Sequence, residues 1–219
     1  LLRWMRTISV MKIERLSTSP DRAGRYYATL SNGEKLRLYR GTLEDFGIYP
    51  GMELDEATLA KLKDAAGKMS AKMRAVRIVA ASSVSRRDLQ ERLIRKGENE
   101  KDAIQAVAWM EEHQLVDDRA TARQVVQSCA AKGYGRVRAK QALYEKRIPR
   151  EFWEEALDDF PDQEDKILAF LKARLGNDYD DRDIQRAVAA LIRRGHSYAA
   201  IREGLQMLSL ETDEIPEDE

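Results

Sequence analysis

The sequence has one cysteine, Cys129, and two histidines, His113 and His196, in 219 residues. A single cysteine cannot close an intramolecular disulfide, and its place in an apolar helical run reads as a small buried hydrophobe rather than a nucleophile. A reducing cytoplasm is the expected compartment. The histidines stand at helix ends, His113 before Gln114-Leu115 and His196 after Gly195, where solvent-edge positions are expected. Neither reads as a ligand, and the carboxylate pair Asp117-Asp118, which as a catalytic set would want a base or metal ligand at matching helical spacing, is better explained as a helix cap. No apolar run approaches the roughly 18 residues that span a membrane, and the opening LLRWMRT is too short and too soon charged for a signal peptide, so a soluble protein without membrane contact is expected. Charge of one sign is missing too. The 38 Lys and Arg balance 38 Asp and Glu, so no whole-protein field draws the chain onto nucleic acid, and electrostatic binding must come from local patches. With 43% apolar residues the chain can nevertheless bury a core in one or two domains.

What the chain holds is a repeat. The stretch Leu143-Tyr144-Glu145-Lys146-Arg147 has counterparts in Leu93-Ile94-Arg95-Lys96-Gly97 and Leu191-Ile192-Arg193-Arg194-Gly195, about fifty residues apart each time. Aligning these closures superimposes Leu89, Ala139 and Ala187, then Leu93, Leu143 and Leu191, on one helix face. One unit is used three times.

In chain order, ISVMKIERL reads as a strand with imperfect alternation, Ile8, Val10 and Leu16 on one side, Met11 and Ile13 on the other. Residues 26–30 and 34–39 form a hairpin, for which Asn32-Gly33 supplies the two positive-φ positions of a type I′ turn. TLEDFG is a short helix or turn. Asp55 then caps a long helix, with Leu54 and Leu59 as its hydrophobic staple. Leu59, Leu62, Ala66, Met69, Met73, Val76 and Ala80 follow a 3,4 spacing over some 26 residues, a stripe for packing on this chain or, less well suited, for a dimeric coiled coil. Ser85 with Asp88 caps the helix that Gly97 ends. Asn99 opens the next, with Ile104, Val107, Ala108 and Trp109 apolar. Asp117-Asp118 reads as a cap for the helix packing Ala122, Val125, Val126 and Cys129. Gly133-Tyr134-Gly135 turns into a middle helix over 136–146, and Pro149 starts the helix that buries Phe152, Trp153, Ala156 and Leu157. DKILAFLKARLG, DRDIQRAVAALIRRG and SYAAIREGLQMLSL make the third triplet, and an acidic tail follows. The expected fold is mainly α: three tandem three-helix repeats in an elongated, curved array behind a small β-hairpin module. The divisions are residues 1–54, 55–116, 117–161, 162–210 and the tail 211–219.

Chemistry is sparse. Gly133-Tyr134-Gly135 could offer N–H groups to a phosphate, but without a Walker pattern or a preceding strand it reads as a tight turn. The basic residues recur in register: Arg95 with Arg193, Lys96 with Lys146 and Arg194, Arg86 with Arg136. Cations in a last turn stabilise the helix dipole by about 0.3–1 kcal/mol and need no partner. Arg136 and Lys140 sit near a helix start, where the dipole disfavours them, so an external anion is the simpler beneficiary; Arg147 extends that side. Lys132 and Arg138 complete the candidate binding set. Tyr134 and Tyr144 could add stacking area, although Tyr144, aligned with Ile94 and Ile192, reads as core.

SRRDLQERLIRKG, the turn Leu115-Val116-Asp117-Asp118 with ATARQVV after it, and GYGRVRAKQALYEKRI together resemble RecX-type regulatory proteins, modulators of the RecA recombinase built from three tandem three-helix repeats. The resemblance covers roughly residues 76–210, and the hairpin region resembles a β-containing extension of some members. One departure is Arg147, where the family usually has glycine after the basic residue, which moves the expected helix end one residue later, to Ile148-Pro149. The resemblance implies a non-enzymatic monomer without cofactors. It implies binding in the groove of the RecA–DNA filament and inhibition of strand exchange, ATP hydrolysis and coprotease activity. Direct contact with single- or double-stranded DNA is left open, and a stand-alone DNA-binding protein using basic patches is the alternative.

Overall fold

The computed structural model describes residues 10–20, 24–176 and 178–209; the expectations for Ile8 and for the acidic tail lie outside them. Four antiparallel strands, β1 (Met11–Thr18), β2 (Arg25–Leu30), β3 (Lys35–Tyr39) and β4 (Glu53–Leu54), stand in the order β3-β2-β1-β4. The imperfect alternation in β1 has a cause: the register against β2 slips between Ile13 and Arg15. One residue is thereby inserted, which lets Met11, Ile13 and Leu16 all face the same hydrophobic cluster. The hairpin turn corrects the expectation of a type I′ pair. Gly33 has φ 84° but Asn32 is not among the positive-φ residues, and Gly33 N–H and Leu30 N–H bond to Leu30 O and Glu34 O. The loop is therefore three residues long with glycine in the left-handed position.

A short helix, α1 (Arg40–Phe46), precedes β4, and α2 (Glu56–Ala81) follows it. Asp55 caps α2 as expected, accepting from Thr58 N–H at 2.7 Å, and Leu54 and Leu59 join one cluster with the sheet. The heptad stripe holds only for the first half of α2. Leu62 and Ala66 are buried, but Met73 and Val76 are exposed and the helix buries Ser70, Ala71 and Ala75 instead. A straight α-helix drifts about 20° per heptad, and the residues brought inward are the small ones that let α4 (Glu100–Glu112) approach; at Gly67 an added Cβ would lie 2.5 Å from the Asp102 side chain. The same helix-on-helix contact re-aims α4: Ala103, Ala106, Val107 and Met110 are buried, while Ile104 and Ala108 face outward.

The remaining elements are α3 (Arg86–Arg95), α5 (Asp118–Ala131), α6 (Arg136–Glu145), a 3-10 turn (Arg150–Phe152) running into α7 (Trp153–Asp158), α8 (Glu164–Leu175), α9 (Asp181–Arg193) and α10 (Tyr198–Met207). Leu89 and Leu93, Ala139 and Leu143, and Ala187 and Leu191 are buried on α3, α6 and α9, the second helix of each triplet. The repeat read from the sequence is thus the repeat of the fold. Two compact units result, one of residues 1–83 and 89–116, the other of 84–88 and 117–219. In the first, buried Glu98 accepts from Ser70 Oγ at 3.0 Å and pairs with Arg74 at 2.6 Å and Arg37 at 3.4 Å, tying β3 to the helices. In the second, one cluster gathers Ala122, Val126, Cys129, Leu143 and Leu157, and another gathers Ile167, Leu171, Leu191 and Ile201.

Candidate binding site

The middle helices end alike. Gly97 N–H bonds to Ile94 O and Glu98 N–H to Leu93 O; Gly195 and His196 repeat the pattern on Ile192 and Leu191, and Arg147 and Ile148 repeat it on Tyr144 and Leu143. This is the closure that a left-handed residue permits. Arg147 adopts it with φ 56°, so the helix ends in register rather than one residue late, and Arg147 lies beyond α6 instead of on one helix side with Arg136 and Lys140.

At its other end α6 is docked. Gly135 N–H donates to Arg194 O at 2.9 Å and Val137 N–H to Gly195 O at 3.1 Å, so the free N–H groups of one middle helix meet the free carbonyls of another and their dipoles align. A Cβ on Gly135 would fall 2.1 Å from Gly195 O, which explains the second glycine of Gly133-Tyr134-Gly135 and leaves its amides unavailable to a phosphate. Ser85, fifty residues before Gly135, makes the same kind of joint with a hydroxyl: it donates to Lys146 O at 2.8 Å and accepts from Asp88 N–H. His196 is buried here, not at the solvent edge, with Nε2 3.0 Å from Gly133 O, and burial lowers its pKa. His113 is exposed and stacks on Trp109.

Several candidate residues turn out to be engaged within the fold. Arg136 donates to Leu157 O at 2.8 Å, neutralising the C-terminus of α7, which corrects the inference that its charge served nothing internal. Arg86 bonds to Asp118 through both its backbone N–H and Nε; Asp117 alone caps α5, accepting from Ala120 N–H at 3.0 Å, while Asp118 is buried against Arg86. Arg138 pairs with Glu145 at 3.0 Å, and that hydrogen bond lowers the Glu145 pKa. Arg194 stacks on Phe170, 4.7 Å from the ring centre. Arg95, Lys96, Lys132, Lys140, Arg147 and Arg193 are exposed, and Lys146 is half-buried. Cys129 is buried, which raises its thiol pKa and keeps it unreactive. Tyr134 is half-buried against the second-repeat core.

Tyr144 overturns the core assignment: it is 64% exposed, and its counterparts Ile94 and Ile192 are 39% and 38% exposed. Tyr144 opens onto a cleft of about 530 Å³ in the second unit whose lining includes Arg87, Arg147, Arg150 and Trp153. Trp153 Nε1–H donates to Ile148 O at 3.0 Å, which fixes the indole, and the Arg150 guanidinium lies 5.7 Å from its ring centre. Sequence reading missed Arg87, Arg150 and Trp153 as surface partners, because Trp153 shares a helix with the core residues Ala156 and Leu157 and helical spacing alone assigned it inward. Glu145, paired with Arg138, also lines the cleft; the three guanidinium groups outnumber that one carboxylate and, with two aromatic faces, suit an acidic or phosphate-bearing macromolecular surface. Among the described residues no group of His, Cys, Asp or Glu is placed to hold a metal ion, and no helix is long and apolar enough to cross a membrane.

Residues 117–157 match the family model for the second three-helix domain of RecX. The regulatory protein RecX of Streptococcus gordonii is 25% identical over 198 residues, spanning 89% of this chain and 77% of that protein. The one from Chlorobaculum tepidum is 29% identical over 147 residues, 66% of this chain and 92% of its own. A crystal structure of a regulatory protein RecX superposes with a TM-score of 0.60 at 23% identity, over 88% of this chain and 99% of that one. RecX from Lactobacillus salivarius gives 0.59 at 20% identity, over 66% and 98%.

Proposed function

The chain belongs to the RecX family, a family of regulatory proteins, and from this we propose that it binds the filament of the RecA recombinase on DNA as a monomer in the cytoplasm and lowers the filament's ATP hydrolysis, strand exchange and coprotease activity. One observation supports this reading beyond family membership. Each middle helix closes with an outward apolar residue beside basic ones: Ile94 with Arg95 and Lys96, Tyr144 with Lys146 and Arg147, Ile192 with Arg193 and Arg194. An exposed apolar residue is ordinary once. An exposed apolar residue at the same position of three repeats suits a target whose own surface repeats, as a filament's does. Zero net charge fits a protein–nucleoprotein target better than bare DNA.

The test is RecA ATP hydrolysis on single-stranded DNA titrated with this protein. Near-stoichiometric addition should slow it, and Tyr144→Ala should raise the concentration for half-inhibition by at least about tenfold, the scale of an interface hot spot. An unaltered rate at saturating protein would sink the proposal.

A further inference from the structure

The second and third repeats are joined by hydrogen bonds rather than by a shared core. Among the described residues their two hydrophobic clusters, one around Val126 and Leu143 and the other around Leu171 and Leu191, have no member in common. The joint itself is polar. Gly135 N–H and Val137 N–H donate to Arg194 O and Gly195 O, Nε2 of buried His196 lies 3.0 Å from Gly133 O, and Lys166 Nζ of α8 donates to Ala130 O of α5. The fit is close from both sides: a Cβ would fall 2.1 Å from Gly195 O if added to Gly135, and 2.3 Å from Arg138 N if added to Gly195. Glycine at 135 is not demanded by its own backbone. Its φ of -79° and ψ of 172° are open to any residue, so the approach of Gly195 is what excludes a side chain there.

Because α6 starts where α9 ends, the two outward closures stand one helix length apart. Tyr144 is 64% exposed at the end of α6 and Ile192 38% exposed at the end of α9, and the 10 residues of α6 between the joint and Tyr144 span about 15 Å at 1.5 Å per residue. A loose connection would leave the second contact to find its place after the first had formed, at an effective concentration set by the tether. A rigid one has both in place beforehand, so less freedom is lost on binding. We propose that Gly135, Gly195 and His196 are positioning residues: through the joint they hold Tyr144 and Ile192 at one fixed spacing, so that both engage a partner of repeating surface in a single event. The proposal rests on the filament reading and adds to it residues that set the spacing without belonging to the contact surface.

The joint is tested first on the full chain without a partner. Gly135 and Val137 supply N–H groups of a first helical turn, which in an undocked helix have no intrahelical acceptor and face water. Amide hydrogen exchange followed by NMR should show both protected; exchange at the rate of an open peptide overturns the proposal. Coupling is tested next, in RecA ATP hydrolysis on single-stranded DNA. Ile192→Ala should raise the concentration for half-inhibition about tenfold in the wild type, the scale of an interface hot spot. In the Gly135→Ala background it should raise it less than about twofold, because a tethered but unplaced third repeat adds little avidity. Gly135→Ala by itself should inhibit more weakly with wild-type helical circular dichroism. If it loses that signal, His196→Ala takes its place, since it withdraws the bond to Gly133 O without inserting an atom. An equal cost of Ile192→Ala in both backgrounds overturns the proposal, and is what a merely structural joint would give. A wild-type chain that leaves hydrolysis unaltered removes the filament reading and the coupling with it, and is told apart because no variant takes part.

Discussion

Arg147 shows how one residue can serve two demands. It occupies the left-handed closure that Gly97 and Gly195 occupy in the other repeats, a conformation that costs a side-chain-bearing residue about 1–2 kcal/mol. Replacing it by glycine should raise the urea midpoint by the equivalent of roughly 1 kcal/mol, less whatever the more flexible unfolded chain takes back. The same Arg147→Gly variant should inhibit the filament more weakly, because the cleft beside Tyr144 loses a guanidinium. A variant both less stable and fully inhibitory would contradict this account. His196 contributes to the acid sensitivity of the second unit. Burial foremost, then the neighbouring Arg194 charge, holds its pKa below 6.5, against the opposing pull of the bond to Gly133 O. On acidification the unfolded chain takes up the proton first, so stability is intact above about pH 6.5 and falls as pH drops through the depressed native value. Urea midpoints measured across that window should decline for the wild type and stay level for His196→Gln. The carboxylates of Asp55 and Glu155, held low by hydrogen bonds from Thr58 and Arg123, act only in the more acidic range below their ordinary values.

At the scale of elements, the joints between helix ends decide which basic residues are structural. Arg136 and Lys140 look equivalent in the sequence, one helical turn apart on α6. Both are exposed, but Arg136 donates to Leu157 O at the end of α7. Arg136→Gln should therefore cost about 0.5–1.5 kcal/mol in chemical denaturation, the net worth of a typical hydrogen bond, while Lys140→Gln should stay within about 0.5 kcal/mol. Equal and negligible effects would mean that the α7 carbonyl is satisfied equally well by water.

For the molecule as a whole, the sheet and the first half of α2 share one hydrophobic cluster: Ile13, Leu30, Leu38 and Leu54 pack with Leu62 and Ala66, and Leu59 lies against them. Removing residues 1–54 would expose that face of α2, at about 25 cal/mol per Å² of apolar surface returned to water. The truncated chain should distribute to the insoluble fraction or elute as aggregates on size exclusion, where the full chain should elute as a monomer. A soluble, monomeric truncation with native helical circular dichroism would show that α2 holds its own.

Local chemistry written in the chain was sufficient for the caps at Asp55, Ser85, Asn99 and Asp117 and for the repeat on Leu93, Leu143 and Leu191, because each depends on neighbours within a helical turn or on a pattern of burial that recurs. Tertiary contact decided the rest. It turned α2 inward on Ser70, Ala71 and Ala75, since only small residues let α4 approach. It made Tyr144 a surface residue and took Arg136 for a carbonyl twenty-one positions away in the chain. It also brought Arg25 of β2 beside Arg77 and Lys96, charges separated by tens of residues whose common field exists only once the chain is folded, because a Coulomb term depends on distance in space and not along the backbone.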